Sequence, residues 1–212
     1  MIPLAAISRN GLLLAVFGLA TTLGIALTYQ GTKDAIAEQE RIAQARALLE
    51  IMPASNHAND MLESTFALVD FEQLGLRHAQ VGYRALNDQQ EVIAVLLPAL
   101  ARDGYSGDIA MLVGIMADGT IAGVRVLNHH ETPGLGDKVE LKKSDWILSF
   151  EGKSLDKPVV TQWKVSKDGG EFDAFTGATV TPRAVIGAVK RALQYFDTHR
   201  AAMLTNESET TP

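Results

Sequence analysis

The pattern of apolar and polar positions changes period along the chain. From Asn10 to Thr32 no residue is charged, and Leu, Ala, Val and Ile dominate these 23 positions. About 20 such residues in a helix span the hydrocarbon core of a bilayer, so residues 10–32 predict a single transmembrane helix behind a short N-terminal segment at 1–9; the flanking charges Arg9, Lys33, Arg41 and Arg46 do not decide its orientation. A cleavable signal peptide competes with this reading, because Arg9 precedes the apolar run. The run is long for a signal core and no convincing Ala-x-Ala site follows it, which favours a retained anchor. Lys33 to Met52 then offers good helix formers and stops before Pro53. Its apolar positions Ile36, Ile42, Ala45, Leu48 and Leu49 are loosely spaced for one face, so residues 33–53 read as a solvated juxtamembrane stalk.

After Gln80 the pattern is that of strands. Tyr83–Leu86 and Val92–Leu97 flank Asn87-Asp-Gln-Gln90, a hairpin connection. Ile109–Met116 and Ile121–Leu127 flank Ala117-Asp-Gly-Thr120, where Asp-Gly is a strong turn signal. Val159–Val165 predicts one more strand. Pro182–Thr198 predicts a helix with Val185, Val189, Leu193 and Phe196 on one stripe. The fold class expected is α+β, an antiparallel sheet with packed helices. That domain would occupy residues 54–200, followed by a polar tail at 201–212 that reads as disordered from Asn206.

Composition narrows the function classes. A net charge of -6 and the absence of a basic stripe argue against nucleic acid as a partner. The chain has no cysteine, which removes disulfides, thiol catalysis and iron–sulfur ligation from it. No Gly-x-Gly-x-x-Gly fingerprint for a dinucleotide occurs. Electrons passing through this chain would need an organic carrier.

Two short segments carry candidate chemistry. Asp173-Ala-Phe-Thr-Gly-Ala-Thr179 leads through Val180-Thr181-Pro182 into the predicted C-terminal helix. Small residues in the turn let backbone approach a bulky group, and the free N–H groups of a helix start favour a phosphate. Thr181 would be the N-cap and Pro182 the first helical residue. Local chemistry leaves two readings open here, an anion-binding turn containing a reactive hydroxyl and a plain capped surface helix. The second segment, Thr132-Pro-Gly-Leu-Gly136, is a turn in which glycines permit positive φ and close backbone approach to a flat ring. Glu131 beside it could equally be a solvent-exposed residue ending a strand. Adjacent His129 and His130 at a strand end point to opposite faces and chelate poorly together. Tyr105 and Ser106 read as turn residues, Trp146 and Phe150 as core or interface anchors, and Lys142 and Lys143 as a solvated face.

The first segment resembles the Asp-x-x-(Ser/Thr)-Gly-Ala-Thr signature of covalently flavinylated proteins, with Asp173, Thr176, Gly177, Ala178 and Thr179 in register. Together with His129-His-Glu-Thr-Pro-Gly-Leu-Gly136 and Gly104-Tyr-Ser-Gly107, it resembles the RnfG family, the G-type components of the Rnf (or Rsx) electron-transport complex. The sister family, NqrC of the sodium-pumping NADH:quinone reductase, shares both signatures but is usually longer between anchor and flavin site. The resemblance implies FMN joined by a phosphoester to Thr179, attached by a flavin transferase with FAD as the donor. It implies that Glu131, Thr132, Gly134 and Leu135 lie beside the flavin. It further implies an electron-carrier component rather than a stand-alone enzyme, with the other membrane subunits as partners. The location the resemblance implies is the bacterial inner membrane, with the short N-terminus at 1–9 cytoplasmic and the C-terminal domain in the periplasm. A non-redox scaffold is the alternative from a different class; it predicts that Thr179→Val leaves electron transfer intact.

Overall fold

The computed structural model describes residues 4–205, so the first three residues and the tail from Asn206 lie outside the described residues. The chain divides into two compact units, residues 1–43 and 44–212. Helix α1 runs Leu4–Ile51, and it is long and apolar enough to cross a membrane by length and composition. Its large apolar side chains between Leu12 and Tyr29 are exposed, including Leu14, Leu19 and Ile25 at 72%. A helix apolar on every side is what lipid accommodates and water does not.

The second unit is built on one antiparallel sheet of five strands in the order β1-β2-β3-β4-β5. The strands are β1 (Thr65–Ala67), β2 (Val81–Leu86), β3 (Val92–Gly104), β4 (Gly107–Met116) and β5 (Ile121–Asn128). Alternation along the strands feeds two cores. Val95, Leu97, Ala99 and Ala101 of β3, with Ile109, Met111, Val113 and Ile115 of β4, face helix α2 (Val180–Leu204). The predicted stripe Val185, Val189, Leu193 and Phe196 is buried against them, each large apolar side chain contributing roughly 1.5–3 kcal/mol. Ala94, Leu96 and Leu112 point to the opposite face, where they meet Ala47, Leu48, Ile51 and Met52.

This second core corrects the solvated-stalk reading of residues 44–52. The end of α1 is a packed element of the domain, and its C-terminus is fastened by the nearly buried Arg125. That guanidinium donates to the Glu50 carboxylate and to the Glu50 carbonyl, both at 3.2 Å. Gly114 in β4 makes the packing fit, since a Cβ there would lie 2.3 Å from Ile51 Cγ2. Pairing of this kind is invisible to helical periodicity, because only the last turns of the helix take part.

Both hairpins form where turn chemistry predicts them, with Gly119 at φ +96° in the Asp-Gly turn. Strand β3 continues well past Leu97, through Pro98. Pro98 pairs with Leu112 of β4 in a stretch where the register with β2 has already ended at Leu96, so its missing N–H removes no ladder bond there. The strand expected at Val159–Val165 does not form; Val160–Gln162 is a 3₁₀ turn, and only Val165 bridges, to Phe172. Val159 and Val160 are exposed, while the buried Trp163 spends its indole N–H on the carbonyls of Ser154 and Pro158. β-branched residues without a neighbouring edge do not make a strand.

Candidate functional site

The hairpin tip between β3 and β4, the turn after β5 and the start of α2 converge on one cleft of about 350 Å³. Tyr105 comes from the first, Glu131, Thr132, Leu135 and Gly136 from the second, and Gly177 through Thr181 from the third. Two signatures distant in sequence thus form opposite walls of the same space.

Glu131 is the centre of the construction. The carboxylate is buried, with 5% of the residue exposed. Its Oε1 accepts from the Ser106 backbone N–H at 2.9 Å, and its Oε2 accepts from the Thr181 hydroxyl. One side chain therefore ties all three segments together. A buried carboxylate needs such donors, since an unmatched charge there would be costly. Close packing reinforces the tie. A Cβ on Gly136 would lie 2.6 Å from Glu131 Oε2 and 2.9 Å from Thr181 Oγ1, so a larger residue would force the walls apart. The solvent-exposed reading of Glu131 is thereby excluded. His129 supports the same turn: its Nδ1 accepts from the Glu131 backbone N–H at 3.0 Å, leaving Nε2 to donate to Glu140 at 2.6 Å. Both of its ring nitrogens are engaged within the protein.

The three threonines of the other wall have different surroundings. Thr176 is exposed and does not line the cleft. Thr181 is fully buried and its hydroxyl is committed to Glu131. Thr179 is half-buried, lines the cleft and makes no side-chain capping bond, although it occupies the N-cap position of α2. This corrects the expectation that Thr181 caps the helix and Pro182 opens it. The helix already begins at Val180, and the Thr181 hydroxyl is drawn to Glu131 instead of to a backbone N–H. Pro182 still lies in the first turn, where its missing N–H has no carbonyl to lose.

The remaining expected residues have supporting places. Gly177 is at φ +82° and a Cβ on it would meet Leu135 Cδ2 at 3.6 Å, so the two walls touch there. Ala178 lines the cleft beside it. Gly134 is at φ +78° in the turn but is not part of the lining, and neither is Asp173. The exposed Asp173 offers its carbonyl to the Trp146 indole N–H at 2.9 Å. Trp146 meets Phe150 and Phe175 edge-on at 5.3 and 5.0 Å, so these aromatics hold the approach to the threonine turn. A cation also reaches this wall: Lys167 Nζ donates to Thr179 Oγ1 at 3.4 Å. Beside it, Arg183 forks onto Asp168 with two bonds of 2.7 Å. That hydrogen bonding holds the Asp168 carboxyl below the usual carboxylate range. Sequence reasoning assigned no site role to Tyr105, Val180 or Lys167. The Gly-Tyr-Ser-Gly run was a signal for Tyr105, but nothing local says which loop a hairpin tip will face.

Comparison with known proteins decides the family. Residues 104–194 match the FMN-binding domain, and residues 1–51 match the RnfG N-terminal region. The G component of the ion-translocating oxidoreductase complex from Vibrio atlanticus is 48% identical over 202 residues, covering 95% of both chains. The protein of the same name from Pseudomonas aeruginosa is 50% identical over 200 residues, covering 94% of this chain and 92% of its own. The chain belongs to the RnfG family of ion-translocating oxidoreductase complexes. Among solved structures, Shewanella oneidensis NqrC aligns with a TM-score of 0.47 and 25% identity over 70% of this chain and 77% of that one. Every part of the cleft lies within the FMN-binding match, from the hairpin tip at Gly104 to the first turn of α2. The match to the RnfG N-terminal region ends at Ile51, the residue at which α1 ends.

The cleft suits a flavin mononucleotide in size and chemistry. Its volume is within the usual range of ligand sites, and Tyr105, Leu135 and Val180 give it apolar surface. Glycines at φ +78° and +82° flank it, and a hydroxyl lies at the N-terminus of a 25-residue helix.

Proposed function

We propose that this chain is the electron-transfer component of a membrane-bound ion-translocating oxidoreductase complex, carrying FMN joined through a phosphoester to Thr179. The observation that carries this reading is the convergence of the two signatures on one cleft, where the half-buried Thr179 lines the α2 wall and makes no capping bond while the Thr181 hydroxyl is committed to Glu131. FMN supplies one- and two-electron redox chemistry, for which a chain without cysteine has no thiol pair or Cys-ligated iron–sulfur cluster.

The residues then divide their tasks. Thr179 holds the phosphoryl end, with the N-terminal N–H groups of α2 favouring its negative charge. Gly177 and Ala178 keep that wall low, and Tyr105, Leu135 and Val180 exclude water from the ring. Thr132 and Gly134 present polar backbone and a hydroxyl at the turn, while Glu131 keeps the walls at a fixed separation. Asp173 and Thr176 complete the signature on the outer side of the turn, the part that a flavin transferase using FAD would meet. The apolar segment of α1 anchors the protein in the inner membrane, among the other subunits, with the flavin domain in the periplasm. Covalent attachment suits such a place, where a dissociable cofactor would be lost.

The test is expression of the full chain with its flavin transferase, followed by denaturing electrophoresis and ultraviolet illumination. A fluorescent band for the wild type and a dark band for Thr179→Val is the expected result. A dark wild-type band, with the transferase active on another substrate, would refute the covalent flavin.

A further inference from the structure

We infer that Lys167 is a positioning residue for the phosphoryl group at Thr179, held for that purpose by the Asp168–Arg183 fork; this rests on the reading of Thr179 as the attachment site. Lys167 lies in the short turn Ser166–Asp168, outside the threonine signature. The turn is tied down on both sides. Before it, Val165 is fully buried and bridges Phe172, whose carbonyl accepts the Ser166 N–H at 2.6 Å. After it, Asp168 is clamped by Arg183 of α2, four residues beyond Thr179. The clamp has two consequences. It fixes the turn over the first turn of the helix, and it neutralises the Arg183 charge internally. The Lys167 ammonium remains as the charge directed at the Thr179 hydroxyl, 3.4 Å away.

That arrangement suits the attachment chemistry. Thr179 Oγ forms a new bond to the phosphorus nearer the riboflavin half of FAD, the pyrophosphate P–O bond breaks, AMP departs, and the hydroxyl proton passes to solvent. Negative charge gathers on the phosphoryl oxygens during the transfer, and one negative charge stays on the diester afterwards. An ammonium with three rotatable donors can hold the hydroxyl first and a phosphoryl oxygen later, without the fixed geometry of a guanidinium. The fork supplies the rigidity that a lone exposed lysine lacks.

The experiment measures the rate of FMN incorporation into the full chain at limiting transferase with FAD, read by in-gel fluorescence. Wild type, Lys167→Met, Lys167→Arg and Thr179→Val are compared. Lys167→Met should load about tenfold more slowly, the scale of one charge-assisted hydrogen bond, and Lys167→Arg, which keeps the charge but not the compact ammonium, should recover only part of the rate. Added salt should slow the wild type and leave Lys167→Met nearly unchanged, because an exposed charge is screened. After loading is driven to completion, the phosphorus resonance of the diester should differ between wild type and Lys167→Met. Loading of Lys167→Met at the wild-type rate overturns the inference, and so does an identical phosphorus resonance in the two loaded proteins. A dark wild type alongside dark Thr179→Val removes the attachment reading itself, and the inference with it.

Discussion

The two walls of the cleft are built on opposite terms. On the wall that follows β5, Glu131 is buried, accepts from two segments and stands against a glycine with no room for a methyl group. On the wall that opens α2, Thr179 is half-buried, free of capping duty and met by an exposed lysine. One wall holds the architecture; the other leaves a threonine half-open at the mouth of the cleft. A site loaded by another protein, as proposed for this one, needs both, since a rigid pocket with no exposed face could not be filled and an open turn alone could not hold a ring in place.

The sharpest way to break this contrast is at the holding wall. Glu131→Ala would strand the fully buried Thr181 hydroxyl, at roughly 1–3 kcal/mol, and remove the partner of the Ser106 N–H on the exposed hairpin tip. Gly136→Ala should cost about 1–3 kcal/mol through overpacking against Glu131 and Thr181. Thermal unfolding of the detergent-solubilised full chain checks both, and a melting temperature equal to wild type in either would show that this wall is not the structural one. A smaller effect is expected at the rim. Tyr105 is 72% exposed, so Tyr105→Ala should change stability by less than about 0.5 kcal/mol while shifting the visible absorption of the loaded flavin. An unchanged spectrum would remove Tyr105 from the ring's surroundings. The smallest effect concerns acid. Asp168 is held below its ordinary value, first by the hydrogen bond from Arg183 and then by the charges of Arg183 and Lys164. Its contribution is present above the ordinary aspartate range and disappears only as pH falls through the lower folded value. A carboxyl titration by NMR should show the fork still intact where an ordinary aspartate is half-protonated, and opening only at lower pH. Titration at the ordinary value would mean that the Lys167 turn is not clamped.

How much of this could be read in advance depends on the range of the interaction involved. The apolar run in α1, the Asp-Gly turn at Asp118, the stripe Val185 to Phe196 and the β-hairpins depend on neighbours within a few positions, and periodicity exposes them. The five-position signature around Thr179 was legible for the same reason. Three features were not. The strand expected at Val159–Val165 fails for want of an edge to pair with, and the end of α1 is buried by a face of the sheet that no local pattern announces. The Thr181 hydroxyl, locally a helix cap, is captured by a carboxylate fifty residues earlier in the chain.

The sequence by itself determined the membrane-length helix, the α+β class, the family and the threonine turn, because each is written in short-range spacing and residue type. Tertiary folding brings the two signatures face to face across one cleft. It alone buried Glu131 as the tie between them, left Thr179 rather than Thr181 with an available hydroxyl, and brought Lys167 to it. These outcomes rest on strand order and on the burial of one carboxylate. Burial is a property of the whole packed domain, and no window of sequence contains it.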